Sequence, residues 1–96
     1  MSKFIIRVEL HSAKEKTDYD KLHEEMKKEG FKRTIIADNG MEYHLPTAEY
    51  YKEIAETPSM VLESAKTAAN KTGKANSIIV AEFQRASWHN LPTTNE

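Results

Sequence analysis

A chain of 96 residues, 39% hydrophobic and 30% charged, is sized for one small folded domain and is too apolar to be disordered. Without cysteine it can form no disulfide, thiolate nucleophile or cysteine-bound zinc, which fits a reducing, cytoplasmic setting. A formal net charge of −1 excludes binding nucleic acid by overall charge, so any such contact must use a local patch, and only KKEGFKR (residues 27–33) is dense.

The chain starts with KFIIRVEL. Phe4, Ile6, Val8 and Leu10 alternate with Ile5, Arg7, Glu9 and His11, which predicts a half-buried strand with one open face. The apolar run here is too short for a signal-peptide core, and Arg7 interrupts it; no segment has the length of a membrane span. TDYDKLHEEMKKEG reads as a helix capped by Thr17 or Asp18, with Tyr19, Leu22 and Met26 on its apolar stripe and His23 beside them. Lys27 and Lys28 suit its negative end, Gly30 ends it, and Phe31 folds back on Met26.

FKRTIIA predicts a second strand, and Asn39-Gly40 a two-residue hairpin turn. That turn sets Ile36 opposite Tyr43, Ile35 opposite His44 and Thr34 opposite Leu45. Met41, Tyr43 and Leu45 then face the core, with Glu42 and His44 outside. TAEYYKEIAE fits a helix or a strand; the fresh helix start at Thr57-Pro58 favours the strand, because a helix running through Glu56 would be broken there. Val61, Leu62, Ala65, Ala68 and Ala69 form the stripe of a second helix ended by Gly73. The last strand, SIIVAEF, is apolar on both faces and needs a cover, either the tail carrying Trp88 or a second subunit. The ordered core is expected over about residues 3–84, with a polar tail over 85–96 that loosens beyond Pro92.

The predicted order βαββαβ gives an α+β, ferredoxin-like fold. Its four-stranded antiparallel sheet, in the order 4-1-3-2, carries both helices on one face. A core this small makes a homodimer the expected state.

This order, with GFKRTIIADNG, YHLPTAEYY and VLESAKTAA, resembles the antitoxin endoribonucleases of the GhoS type and their small relatives. The similarity covers most of the chain, to about Phe83. It implies a ferredoxin-like fold related to the small CRISPR-associated adaptation nucleases, and RNA as a partner, with a sequence-selective endoribonuclease antitoxin of a toxin-antitoxin system as the sharpest form. Those nucleases carry a metal-binding aspartate at the end of the first strand. Here that region reads Glu9-Leu10-His11, so no metal mechanism carries over.

Metal-free RNA cleavage needs a base, an acid and a cation at the phosphorane. The expected order of strands brings Arg7, Glu9 and His11 beside Glu42 and His44, with Arg33 on the second strand. Arg33, His44, Arg7 and His11 are therefore the catalytic candidates, and Lys27, Lys28, Lys32, Arg33 and Tyr43 the RNA-binding ones. The plainer reading is a solvated face on which opposite charges add a little stability. Glu9, His11 and His44 lack diagnostic metal-site spacing, and no cofactor or metal is expected. The rival class is a non-catalytic homodimeric module that offers the same face to a protein partner.

Overall fold

The computed structural model describes residues 1–12 and 16–94. The elements run β1 (Ser2–Leu10), α1 (Lys16–Lys28), β2 (Thr34–Ile36), β3 (Glu42–His44), β4 (Glu49–Ile54), α2 (Pro58–Asn70) and β5 (Asn76–Phe83). The fold is α+β, with an antiparallel sheet in the order β4-β1-β5 and a separate hairpin β2-β3. The single four-stranded sheet of the sequence reading is thus divided. Its expected third strand breaks into β3 and β4 because Pro46 has no N–H and Ala48 turns left-handed (φ 70°). One backbone bridge, Lys32 with Tyr51, joins the second strand's approach to β4.

Alternation in β1 sends Phe4, Ile6, Val8 and Leu10 into the core with Leu22, Met26, Phe31, Tyr50, Val61 and three alanines of α2. Both helices therefore cover one face. Small residues at positions 65, 68 and 69 let α2 lie close to the strands beneath it. Ile78 and Val80 of β5 pack against the same core, and Tyr50 and Ile54 confirm that residues 49–54 are a strand.

Local chemistry sets the helix ends. α1 already runs at Lys16, with Thr17 and Asp18 in its first turn, and Asp18 faces the positive dipole end. At its other end Gly30 takes φ 88°; its N–H donates to Lys27 O (3.0 Å) and that of Phe31 to Met26 O (3.0 Å). These are the paired bonds of a Schellman motif, and they carry Phe31 back onto Met26 as expected. Lys52 reinforces the junction, its Nζ donating to Glu29 O (2.9 Å) over the Phe31 ring. In α2, Thr57 accepts from the Met60 N–H with Pro58 in the first turn.

The hairpin differs from expectation by one residue. Thr34 pairs with His44, Ile35 with Tyr43 and Ile36 with Glu42. The loop spans three residues: Gly40 N–H donates to Ala37 O, Ala37 N–H donates to Met41 O, and Gly40 alone is left-handed. A two-residue turn would need Asn39 at positive φ as well. The shift sets Ile35, not Ile36, against Tyr43. Met41 is exposed, and Tyr43 and Leu45 lie outside the main core. The tail, expected to loosen beyond Pro92, pairs with β3: His44 N–H donates to Pro92 O and Thr94 N–H to Glu42 O.

Candidate functional site

The face of β4-β1-β5 away from the helices follows from the register. Lys3 lies between Glu53 and Phe83, Ile5 between Tyr51 and Ala81, Arg7 between Glu49 and Ile79, and Glu9 beside Ser77. Its charges oppose one another across strands, a modestly stabilising pattern. At one end the hairpin and the tail rise beside this face and enclose a cleft of about 710 Å³. Tyr51, Phe83 and Trp88 line it together with Lys3, Arg85 and Asn39.

The aromatic groups are held from different elements. Tyr51 and Phe83 come from the two strands flanking β1, and their rings meet over it with centroids 6.1 Å apart. Trp88 reaches the site because the tail pairs with β3, and its ring stands 5.4 Å from that of Tyr43. Burial, with repulsion from Glu53, pushes the Tyr51 phenol pKa above its ordinary value. It therefore stays a neutral donor, bonded to Glu53 Oε1 (3.2 Å).

The residues singled out by sequence scatter. Arg7 lies exposed on the open face. His11 follows β1, with Nε2 2.7 Å from Ser77 Oγ. His44 is on β3, which pairs with β2 and the tail and not with β1, so the expected grouping of Arg7, Glu9 and His11 with Glu42 and His44 is absent. Glu42 instead accepts from Thr34 Oγ1 (2.6 Å). No group of three histidines or carboxylates suited to a metal occurs among the described residues, and Glu9, His11 and His44 form none.

Arg33 belongs to the helix side. Its charge acts on His23 of α1 and on Tyr50, whose side chain is in the core, so it stands apart from Arg7. The bend at Arg33 breaks the alternation that placed it on the outward face. Burial, then Arg33, lowers the His23 pKa. Arg33→Ala should therefore raise it, as an NMR titration of the imidazole would report.

The basic patch divides as well. Lys28 is engaged by Glu25 (3.1 Å) and Glu24 (3.5 Å), and its hydrogen bond to Glu25 raises its pKa. Glu25 also meets Lys21 and Lys71, so its carboxylate lies near the surface but is covered by lysine stems, and its pKa is lowered chiefly by the Lys28 hydrogen bond. Lys27 is exposed on α1, and Lys32, also exposed, is bridged to Tyr51 at the cleft's margin. Tyr43 is taken up by Trp88.

Sequence reasoning passed over Lys3, Phe83, Arg85 and Trp88 as a site. The strand register sets Lys3, Tyr51 and Phe83 on one face, a grouping that alternation within single strands does not reveal, and the return of the tail carries no local signal. Compared with protein-family models, curated proteins and solved structures, the chain matches none.

Proposed function

We propose that the cleft on the open sheet face binds single-stranded RNA in the cytoplasm. One observation carries the reading: Tyr51, Phe83 and Trp88 line the cleft alongside Lys3 and Arg85. Unpaired bases stack on aromatic rings regardless of sequence, while a few cations track the phosphates. Such a site suits a chain of net charge −1, because stacking supplies much of the affinity. Few phosphate contacts also imply a shallow dependence on salt.

The wider frame of this proposal is a ferredoxin-like arrangement, in which β5-β1-β4 is continued by β2 through the Lys32–Tyr51 bridge. The sequence-selective endoribonuclease antitoxin is the narrower form and takes its support from the resemblance of the sequence. Binding has the better geometric support, because His11, His44, Arg7 and Arg33 are not gathered around one point. A second reading, the non-catalytic homodimeric module, is favoured by Ile79, which is 65% exposed on the same face.

Trp88 is the sole tryptophan and stands in the cleft wall, so its fluorescence reports occupancy. Titration with mixed single-stranded RNA at low salt should give a saturable change, with RNA length followed in parallel with and without chelator. Intact RNA with a saturable signal favours binding alone; shortened products favour the nuclease. No saturable signal at tens of micromolar protein would remove the RNA reading.

A further inference from the structure

The two ends of the sheet structure treat their edges differently. At the hairpin end the strands are three residues long, and the tail takes up the edge of β3. At the other end β5 presents an eight-residue edge that pairs with nothing among the described residues. Its sequence, NSIIVAEF, has no proline or lysine to discourage pairing, and Glu82 is its one charge. Ile79 and Ala81 stand exposed beside that edge on the open face. The tail that was a candidate cover packs on Tyr43 instead and leaves Ile79 bare.

We propose that this edge is the seam of a homodimer, in which β5 pairs antiparallel with β5 of a second copy about a two-fold axis at Ile79. The proposal rests on the dimer reading above and names its surface. A second copy fits because the strand complements itself. With Ile79 opposite Ile79, Ile78 meets Val80, Ser77 meets Ala81, and Glu82 meets the amide-bearing Asn76. A two-fold at Val80 would set Glu82 against Ile78, a carboxylate against an apolar side chain, and is rejected. The chosen register opposes no like charges, and net charges of −1 add little long-range repulsion. A stable pair buries roughly 1,200 Å² or more in total. The edge alone falls short, but α2 lies over β5 and brings a second layer to the seam. The result is a continuous sheet β4-β1-β5-β5-β1-β4 with a cleft in each half.

Light scattering and sedimentation should find a dimer at high micromolar concentration. Ile79→Lys puts two ammonium groups at the axis and should give a monomer with unchanged circular dichroism, since Ile79 packs little within its own chain. Ile36→Lys, also at an exposed isoleucine but on the hairpin, should remain dimeric. In this cysteine-free chain Ile79→Cys should cross-link two copies on oxidation and Val80→Cys should not. A monomeric wild type overturns the dimer and the seam together. A dimer that survives Ile79→Lys overturns the seam alone, and cross-linking through position 80 in place of 79 overturns the register.

Discussion

Replacing Tyr51 and Phe83 together by leucine is expected to cost single-stranded RNA binding about 30-fold while the fold persists. Each base stacked on an aromatic ring contributes about 1–3 kcal/mol, so losing two platforms removes about 2 kcal/mol at the low end. The two rings touch one another, so their effects will not simply add. Leucine is the informative replacement because both side chains are half-buried; it keeps apolar cover and removes only the π-face. Some loss of stability is still expected, since an aromatic pair adds about 0.5–1.5 kcal/mol beyond its area. Fluorescence titration and a thermal melt on the same sample separate the two effects. Arg85→Ala and Lys3→Ala should act differently, each lowering the salt slope by about one phosphate contact. Leucine variants that bind like the wild type would show that bases do not stack here.

The largest effect on stability is expected at Tyr50. It is the largest fully buried side chain, and Tyr50→Ala empties a space among Ile6, Leu22 and Met26. Aromatic-to-alanine changes in cores cost about 3–5 kcal/mol, a large share of the roughly 5–15 kcal/mol that holds a domain folded. Tyr50→Phe keeps the ring and removes only the hydroxyl that bonds His23 Nδ1, for a cost of about 1 kcal/mol. Urea unfolding of both variants therefore divides packing from hydrogen bonding.

The same pair predicts a pH dependence. Burial first, then Arg33, lowers the His23 pKa from its ordinary value of 6.5, so the folded state favours the neutral ring whose Nδ1 can accept the Tyr50 proton. The folded protein thus binds fewer protons than the unfolded chain in this window. The contribution is complete above pH 6.5 and is lost as pH falls from there through the lowered folded value. His23→Gln should flatten that part of the stability profile. An unchanged slope would show that His23 does not carry it.

What could be read in the sequence was whatever rested on neighbours in the chain. The alternation from Phe4 to Leu10, the Thr57-Pro58 start and the Gly30-Phe31 cap each needed only a few adjacent residues. The ambiguous stretch before Thr57 was settled by the helix start that follows it. The hairpin register was not legible, because Asn39-Gly40 serves two-residue and three-residue loops alike, and Gly40 is left-handed in both. Nor was the site. Of the residues chosen for their chemistry, His44 was placed by an assumed unbroken third strand, which Pro46 and Ala48 break, and Arg33 by an alternation in the second strand that the bend there interrupts. The cleft depends on Trp88 crossing back to Tyr43, which is a property of the assembled fold.

The position of β1 has a consequence for the order of events in folding. The first strand in the chain lies in the middle of its sheet, between the fourth and the fifth. As the chain leaves the ribosome, β1 has no strand partner until β4 has been made, and its second waits for β5. Such distant pairings must close long loops before any contact rewards them, so folding is expected on a millisecond-to-second scale despite the small size. Until then Ile5, Ile6 and Val8 form an uncovered β-prone segment. During synthesis this protein is most exposed to misassociation at its earliest strand, and α1, made next, is the first helix on hand to shield it.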